Sequence, residues 1–471
     1  MTIEQIYTGC LAQGAYYIES EGEAVVIDPL REVQPYLDRA AKNGTKIKYI
    51  LETHFHADFV SGHLDLAKKS GGTIVYGPTA KPNFEAHIAT DGEVLKVGNI
   101  TITAIHTPGH TMESTCYLLK DENAKNQAIF TGDTLFIGDV GRPDLAQKIA
   151  SDLTQEKLAG YLYQSLREKI MPLEDDIIVY PAHGAGSACG KNMSKETFDT
   201  LGNQKKTNYA LQEMTKEQFI KEVTDGLLPP PAYFPENVMM NIKGYESLDV
   251  VMDRGMRALS PKEFEEVANQ EGTLILDTRN AQDFSEGFIP NSINIGVDGG
   301  FAPWVGTLIL DIKQPILLVT DLGREEEVIT RLSRVGYDNV LGFLNGGFDS
   351  WKNSGKEVDN VRRISAEEFE KEVTENQNKV IDVRKEGEFE SEHLEVAESL
   401  PLAYINDWMS SVDDSEHFYI HCAGGYRSMI AASILNSRGI RNFTEIAGGY
   451  GAIKNTSLAK TNFVCPSTLK S

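Results

Sequence analysis

Short apolar runs alternate with turn-forming residues over roughly the first 200 residues, as expected for buried strands that lead into polar loops. The clearest runs are AVVIDP (24–29), KIKYILETH (46–54), GTIVYG (72–77), ITITAIHTPGH (100–110), QAIFTGD (127–133) and IIVYPAHG (177–184). Two intervening segments, VQPYLDRAAKNG (33–44) and LTQEKLAGYLYQSLREKI (153–170), carry apolar residues at helical spacing. The pattern predicts a layered α/β domain with functional side chains on loops at strand ends.

A proline-rich segment, LLPPPAYFPENVMMNIKGY (227–245), interrupts this pattern. Three consecutive prolines cannot lie inside a helix or a central strand, because each lacks a backbone N–H. We therefore predict an extended segment that wraps or links, and that closes a first domain of residues 1–245.

The remainder of the chain contains an internal repeat. LILDTRNAQDFSEGFIPNSINI (274–295) resembles KVIDVRKEGEFESEHLEVAESLPL (379–402), and NGGFDSW (345–351) resembles AGGYGAI (447–453). A period of about a hundred residues indicates two copies of one domain, because solenoid repeats are only ~20–50 residues long. We expect two small α/β domains with parallel sheets, over residues 246–358 and 359–471.

Composition narrows the class of protein. The chain has 471 residues, too many for one hydrophobic core, and its net charge of −24 argues against generic binding of nucleic acid or of anionic membranes. No signal peptide is visible, and no stretch approaches the ~20 apolar residues of a membrane span. The five scattered cysteines indicate free thiols in a reducing compartment, and we expect the cytoplasm.

Polar residues that follow the predicted strands indicate a metal site. They are His54, His56 and Asp58 in THFHADFVSGH (53–63), His110 in TPGHT, Asp133 in TGDTLF and His183 in PAHG. Imidazole and carboxylate groups that arrive from several strand ends suit a transition metal. A single buried histidine is usually structural, but this number of candidate ligands, two of them in HxHxD, favours a metal.

These motifs resemble those of the metallo-β-lactamase superfamily, which implies an αββα sandwich over about residues 1–240. The familiar form of the first motif is HxHxDH and supports two metals, whereas Phe59 stands in place of the last histidine here. An aromatic ring cannot coordinate a hard or borderline cation, so a binuclear zinc site is weakened.

His54, His110 and Asp133 remain as a two-histidine, one-carboxylate set, which is typical of non-haem Fe(II) oxygenases. The set resembles that of the persulfide dioxygenases, a branch of this superfamily, and the resemblance implies one Fe(II) per chain. His56, Asp58 and His183 would then orient ligands or substrate, or serve as additional ligands.

Two further residues near this site are candidates for substrate binding. Arg142 in GDVGRPDL (138–145) could pair with an anionic group of a carrier thiol, or it could be a surface residue of a structural turn. Cys189 in GSACGKN (186–192) could be a reactive thiol or a packed, inert one.

A second site is indicated by HFYIHCAGGYRSMIAASIL (417–435), an apolar strand, a glycine-containing loop and an apolar helix. Backbone N–H groups of the loop, with Arg427, would favour a Cys422 thiolate. The loop resembles the rhodanese active-site loop C-x-x-G-x-R-S, which implies that Cys422 carries sulfur as a persulfide. Gly424, Gly425 and Ser428 would then line the anion site.

The first copy of the repeat has no cysteine in the equivalent segment, PILLVTDLGREEEVITRL (315–332), and places Asp321 near that position. A carboxylate there would repel an anionic sulfur donor, so we expect an inactive rhodanese-like domain. Its work would be spacing, docking or oligomer contact. The Asp-x-Arg pairs, Asp277 with Arg279 and Asp382 with Arg384, are expected to be scaffold contacts.

The order of domains resembles that of fused persulfide dioxygenase–rhodanese proteins. The resemblance implies oxidation of a persulfide with O2 to thiol and sulfite, followed by sulfur transfer from Cys422 to sulfite to give thiosulfate. The carrier thiol could be glutathione, coenzyme A or another small thiol, and we expect a homo-oligomer without nucleic-acid or membrane partners. A zinc-dependent thioester hydrolase of the glyoxalase II type, a β-lactam hydrolase and a non-catalytic sulfide-responsive scaffold are the alternatives.

Overall fold

A computed structural model describes residues 1–145, 153–191, 193–227, 229–376 and 378–465. The chain forms two compact units, one of Met1–Asp249 with Ser333–Gly336, the other of Val250–Leu332 with the chain from Tyr337 onward. Among the described residues, no helix is both long enough and apolar enough to span a membrane.

The first unit contains twelve strands and six helices within its described residues. The strands are β1 (Thr2–Thr8), β2 (Gln13–Ser20), β3 (Glu23–Ile27), β4 (Lys46–Leu51), β5 (Thr73–Tyr76), β6 (His87–Ile88), β7 (Val94–Val97), β8 (Ile100–His106), β9 (Thr115–Lys120), β10 (Asn126–Gly132), β11 (Ile178–Pro181) and β12 (Asp199–Thr200). The helices are α1 (Gln34–Asn43), α2 (His63–Ser70), α3 (Gln155–Ser165), α4 (Leu201–Thr207), α5 (Lys216–Thr224) and α6 (Phe234–Lys243).

The strands of the first unit form two six-stranded sheets, in the orders β1-β2-β3-β4-β5-β6 and β12-β11-β10-β9-β8-β7. Apolar side chains from both sheets, such as Ile18 and Val25 of one and Ile102 and Phe130 of the other, form a common core. A second apolar cluster joins the other face of β9–β11 to α3 and α5. The predicted αββα sandwich is therefore confirmed, and the six apolar runs of the sequence all contribute strands.

The proline-rich segment differs from its prediction as extended chain. Helix α6 occupies Phe234–Lys243, with Pro235 in its first turn, where the missing N–H of proline removes no helical hydrogen bond. The three prolines at 229–231 precede this helix and do not interrupt it. The two predicted helices of this unit are confirmed, and α3 continues as a π-helical turn over Leu166–Ile170.

The second unit contains ten strands and eleven helices within its described residues. The strands are β13 (Ala258–Leu259), β14 (Leu274–Asp277), β15 (Ile293–Asn294), β16 (Ile316–Val319), β17 (Val340–Leu344), β18 (Arg363–Ile364), β19 (Lys379–Asp382), β20 (Ala397–Ser399), β21 (Phe418–His421) and β22 (Phe443–Ile446). The helices are α7 (Leu248–Gly255), which begins in the first unit, α8 (Pro261–Ala268), α9 (Ala281–Glu286), α10 (Phe301–Leu308), α11 (Glu325–Arg334), α12 (Gly347–Asn353), α13 (Ala366–Asn376), α14 (Glu386–Ser391), α15 (Ile405–Trp408), α16 (Tyr426–Ser437) and α17 (Gly449–Ile453).

The two sheets of the second unit have the same topology, which confirms the internal repeat. Their orders are β13-β17-β16-β14-β15 and β18-β22-β21-β19-β20, and every pairing is parallel. Each copy also contains the expected aspartate–arginine scaffold pair: the guanidinium of Arg279 bonds Asp277, and that of Arg384 bonds Asp382.

The strand register corrects one detail of the comparison between the copies. Val319 pairs with Asp277 as His421 pairs with Asp382, so the residue after each strand is Thr320 in the first copy and Cys422 in the second. Asp321, which the sequence placed near the cysteine position, lies one residue further along. The first copy thus carries a hydroxyl group where the second carries a thiol.

Candidate metal centre and cysteine loop

Three predicted ligands come together at the ends of three strands. His54 follows β4, His110 follows β8 and Asp133 follows β10. The Nε2 atoms of His54 and His110 lie 3.8 Å and 3.3 Å from Oδ2 of Asp133. All three side chains are buried, and their ligand atoms lie within 4.8 Å of one another, close enough to bind one ion together.

The donor atoms of this cluster suit a cation. Both carboxylate oxygens of Asp133 are buried without a hydrogen-bond donor, which is costly unless a positive charge compensates. The other ring nitrogens are already engaged, since Nδ1 of His54 lies 3.0 Å from Thr53 Oγ1 and Nδ1 of His110 lies 2.9 Å from the carbonyl oxygen of Arg142. Such contacts leave Nε2 of each ring to face the ion.

Electrostatics favour neutral imidazole at the first of these positions. Burial, together with the neighbouring imidazoles of His56, His110 and His183, holds the pKa of His54 well below its usual value. A neutral ring keeps the lone pair that a metal requires.

A second buried cluster contains His56, Asp58 and His183, whose ligand atoms also lie within 4.8 Å of one another. His183 Nε2 lies 3.4 Å from Asp58 and 3.6 Å from Asp133 Oδ1, so the two clusters adjoin. Phe59 is fully buried, and its ring centroid lies 4.3 Å from that of His56. An aromatic ring therefore packs beside this cluster where the HxHxDH pattern would supply a histidine.

Two carboxylates that the sequence analysis missed contact His56. Its Nε2 lies 3.1 Å from Asp28 Oδ1 and 3.5 Å from Glu52 Oε2. Burial lowers the pKa of His56, but the two carboxylates outweigh it and raise this pKa well above its usual value. Asp28 also accepts bonds from Thr53 N and Oγ1, both at 2.8 Å. Asp28 could have been included among the candidate site residues, because it is the polar residue that follows the apolar run in AVVIDP.

Helix α6 fixes the loop between His54 and Ser61, a role that was not foreseen. The Asn241 amide donates to the carbonyl oxygens of His56 at 2.8 Å and Phe59 at 2.9 Å, and its oxygen accepts from Ser61 N at 3.0 Å. Tyr245 donates to the carbonyl oxygen of Ser61. The proline-rich segment thus closes over the candidate ligands.

Arg142 occupies a different environment from the one expected of a substrate clamp. Its guanidinium is mostly buried and makes a bidentate pair with Asp144, at 2.6 Å and 2.7 Å, and its carbonyl oxygen accepts from His110. A Cβ added to Gly141 would lie 1.9 Å from the carbonyl oxygen of Asp133, so this loop rests directly on the ligands. These contacts favour a structural role for Arg142.

Cys189 is buried beside the cluster, and its sulfur lies within 4.8 Å of ligand atoms of Asp133 and His183. Burial, with the charges of Asp58 and Asp133, raises the pKa of its thiol well above the usual value. A neutral thiol is therefore favoured at this position in the absence of a cation.

One pocket reaches the cluster from outside. This His110 pocket is lined by Phe55, Ala57, His110, Thr111, Glu113, Leu145 and Val238. Its volume of about 10 Å³ is close to the minimum for one water molecule, and four of its seven lining side chains are apolar.

The loop around Cys422 directs a backbone N–H group and a hydroxyl group at the cysteine sulfur. Cys422 is buried at the end of β21, and the backbone N–H of Gly425 donates to its sulfur at 3.1 Å. Ser428 Oγ lies 3.4 Å from the same sulfur. Arg427 makes a bidentate pair with Glu388 at 2.6 Å and 2.8 Å, so its charge is shared with that carboxylate. At Gly424, also a candidate, nothing lies within 4 Å of the position that a Cβ would take.

Two known protein families match separate parts of the chain. The metallo-beta-lactamase superfamily model matches residues 8–183, and the rhodanese-like domain model matches residues 260–354 and 365–456.

Individual relatives carry two different names. A probable hydroxyacylglutathione hydrolase of Schizosaccharomyces pombe is 33% identical over 168 residues, which cover 35% of this chain and 60% of that protein. Human mitochondrial persulfide dioxygenase ETHE1 is 30% identical over 223 residues, 47% of this chain and 79% of that protein. The chain thus spans only part of the length of either relative.

A solved structure extends the match beyond the first unit. The crystal structure of a metallo-beta-lactamase from Staphylococcus aureus shares 31% identity and a TM-score of 0.64, and it covers 73% of this chain and 99% of that one. The chain therefore belongs to the metallo-beta-lactamase superfamily, with its metal-binding domain followed by two rhodanese-like domains.

Proposed function

We propose that the protein is a bifunctional enzyme that oxidises a small-molecule persulfide to sulfite and converts the sulfite to thiosulfate. We assign the first reaction to residues 1–245 and the second to residues 359–471, with residues 246–358 as a cysteine-lacking copy. The observation that carries the proposal is the buried His54–His110–Asp133 cluster in a chain whose buried Cys422 sulfur accepts the N–H of Gly425.

In the first reaction, a persulfide, O2 and water give the free thiol and sulfite. His54, His110 and Asp133 would hold one Fe(II), which when bound supplies the redox chemistry that lets O2 react with sulfur. Thr53 and the carbonyl oxygen of Arg142 orient the two imidazoles. The carrier thiol could be glutathione, coenzyme A or another small thiol, and we assign the approach of its persulfide to the side of the cluster where Phe55, Ala57 and Val238 lie beside His110.

In the second reaction, Cys422 takes the outer sulfur of a persulfide and passes it to sulfite. The N–H of Gly425 stabilises the sulfur as an anion, and Ser428 lies within reach of the same atom. Sulfite is a reactive nucleophile, so capture within one protein limits its release. The proposal places the enzyme in the cytoplasm as a homo-oligomer.

A second candidate is a zinc-dependent thioester hydrolase of the glyoxalase II type joined to a sulfurtransferase. The cluster of His56, Asp58 and His183 favours it, because these groups could help to hold a second ion. Phe59 opposes it, since the buried ring replaces a ligand of the second metal. The hydroxyacylglutathione hydrolases among the relatives support this candidate as strongly as ETHE1 supports the first.

The test measures metal content, O2 uptake and sulfur products in full-length protein purified without added metal. Glutathione persulfide and coenzyme A persulfide are the substrates, and S-lactoylglutathione tests the alternative. We expect one iron per chain and persulfide-dependent O2 uptake. His110→Ala should lose both, whereas His87→Ala, a partly exposed histidine in the same unit, should keep both.

Cys422→Ser separates the two reactions. It should retain O2 uptake and release sulfite in place of thiosulfate, because the thiol has no part in the first reaction. Loss of O2 uptake in folded Cys422→Ser protein would contradict this division of labour. Two zincs with thioester cleavage would establish the hydrolase, and inactivity of fully metallated protein would favour a non-catalytic scaffold.

A further inference from the structure

A buried acid lies below the Cys422 loop. Glu445 on β22 has no exposed surface, and its Oε1 accepts a hydrogen bond from Ser428 Oγ at 2.6 Å. The same Ser428 oxygen lies 3.4 Å from Cys422 Sγ. Arg363 on β18 donates from Nε to the other carboxylate oxygen of Glu445 at 2.7 Å. The Ser428 hydroxyl group therefore lies between the Cys422 thiol and the Glu445 carboxyl group and connects them.

The single hydrogen of a serine hydroxyl can serve only one acceptor at a time. When Glu445 is ionised, Ser428 donates to it, and the Cys422 thiol can donate to the serine oxygen. When Glu445 is protonated, it can donate to Ser428, whose hydroxyl then donates to a Cys422 thiolate. The two arrangements differ only in the position of protons on these three groups, so Cys422 can ionise without direct exchange with solvent.

Electrostatics favour a single negative charge in this group of side chains, shared between the Cys422 sulfur and the Glu445 carboxyl group. A thiolate and a carboxylate this close together in a buried site repel each other strongly. Burial raises the pKa of Glu445, and the charge of Arg363 and the hydrogen bond from Ser428 oppose that rise. The net shift of this pKa is upward, so burial favours the protonated form of the carboxyl group more than water does.

Other charged and titratable groups also surround the loop. They are Arg427 with Glu388 of α14, Arg384 with Asp382 of β19, His421 of β21, and Tyr450 of α17 beneath the guanidinium of Arg384. Burial lowers the pKa of His421, which favours the neutral imidazole. Among the groups around the loop, Glu445 is the carboxylate linked to the sulfur through a single hydroxyl.

The cysteine-lacking copy provides an internal comparison. By strand register, Phe343 occupies the position of Glu445 and Ala258 that of Arg363. Thr320 replaces Cys422, and at the same distance along the chain Glu326 replaces Ser428.

The Asp-x-Arg scaffold pairs differ from the Arg363–Glu445 pair in their distribution. Both copies of the domain contain an Asp-x-Arg pair with the same contacts. A purely structural Arg363–Glu445 pair would be expected in both copies as well. The acid, its arginine and its serine instead accompany the cysteine, which links them to the chemistry of the thiol.

We propose that Glu445 acts through Ser428 as the proton acceptor and donor for sulfur transfer at Cys422, a role that rests on the sulfurtransferase activity proposed above. Arg363 is a positioning residue in this scheme, because it holds the carboxyl group against Ser428. Gln282 of the cysteine-lacking copy accepts from Arg363 Nη1 at 2.7 Å and so anchors the arginine in turn.

The proton balance of both half-reactions follows from this arrangement. In loading, Cys422 Sγ attacks the outer sulfur of the donor, an Sγ–S bond forms, and the donor S–S bond breaks with its electron pair on the departing thiolate. The thiol proton moves to Ser428 as the serine proton moves to Glu445, and the departing thiolate takes a proton from solvent.

In transfer, sulfite attacks the outer sulfur of the Cys422 persulfide, and the Sγ–S bond breaks with its electron pair on Sγ. Sγ regains a proton from Ser428 as Glu445 returns its own to the serine. The proton of the outer sulfur goes to solvent, and thiosulfate leaves. The net reaction converts persulfide and sulfite to thiol and thiosulfate.

The first test is the pH dependence of Cys422 alkylation by iodoacetamide in the full-length protein, followed by mass spectrometry of the Cys422 peptide. Wild-type protein should show two steps in this profile, because two coupled groups lose their two protons in two steps that belong to the pair. Glu445→Gln should show one step, since the amide cannot take the proton. A merely structural role for Glu445 would leave the number of steps unchanged.

The second test is the rate of sulfur transfer from glutathione persulfide to sulfite. Glu445→Gln and Ser428→Ala should each lower it about 10²-fold, the low end for loss of a proton-transfer group. Ser437→Ala, a serine later on α16 whose hydroxyl bonds the carbonyl oxygen of Ile434, should retain the wild-type rate. If Glu445→Gln does not fold, Ser428→Ala decides the outcome.

These experiments distinguish a failure of the proposed sulfurtransferase activity from a failure of the proton relay through Ser428. Wild-type protein that transfers no sulfur, yet shows two alkylation steps that collapse in Glu445→Gln, would refute the sulfurtransferase activity and keep the coupling. Active wild-type protein whose rate is unchanged in Ser428→Ala, or whose alkylation profile is the same in Glu445→Gln, would overturn the relay.

Discussion

Asn241→Ala tests how the candidate metal loop is held. The Asn241 side chain is 1% exposed and satisfies three main-chain groups of that loop: the carbonyl oxygens of His56 and Phe59 and the N–H of Ser61. Alanine would leave all three without this partner. The loop carries two of the histidines and the aspartate of the HxHxD motif, so its mobility bears directly on metal binding.

The expected magnitude follows from the number of lost partners. A buried group without a partner costs about 1–3 kcal/mol, and we take the lower figure because water can enter the space that the amide vacates. Three such groups give about 3 kcal/mol, so opening of the loop should become about 10²-fold more frequent.

Hydrogen exchange followed by mass spectrometry measures this opening in peptides that cover residues 52–63. Asn237→Ala is the matched control, because Asn237 lies one turn earlier on α6, is fully buried, and neither polar atom of its side chain has a hydrogen-bond partner. We expect fast exchange of the loop in Asn241→Ala and wild-type exchange in Asn237→Ala. Equal exchange rates in the two variants would refute the argument.

Two further perturbations test other contacts. Gly141→Ala should lower the metal content measured by mass spectrometry, because its Cβ would displace the main chain of Asp133, whereas Gly9→Ala has nothing within 4 Å and should bind metal normally. Burial raises the pKa of Glu388, but its bonds to Arg427 outweigh this and hold the pKa below its ordinary value. Its stabilising contribution is therefore present above the ordinary glutamate pKa and is lost as pH falls through the lowered one. Glu388→Gln should show a smaller acid-induced fall in melting temperature than wild type, and an equal fall would contradict this.

The alternation of apolar runs and turns located the strands, and it also located the ends at which His54, His110 and Asp133 gather. These signals are local, because each depends only on the order of residues within one short stretch of the chain. The internal repeat and the glycine loop at Cys422 were visible for the same reason, since both are continuous stretches of sequence.

Local sequence signals could not reveal contacts between residues that are far apart in the chain. The sequence left Arg142 as either an anion clamp or a residue of a structural turn, and only the fold shows that its carbonyl oxygen orients His110, which lies 32 residues earlier in the chain. Asn241 and Glu445 carry no local signature, because one amide or carboxylate acquires a role only from what the fold places beside it.

The sequence alone therefore determined the layered architecture, the repeated domain and the identity of the candidate ligands and thiol, because hydrophobic period and motif spacing act over a few residues. Only the tertiary structure decided which groups orient those ligands, which helix holds their loop and which acid lies below the sulfur. Those contacts depend on chain segments that are far apart in sequence and meet only when their apolar faces are buried together.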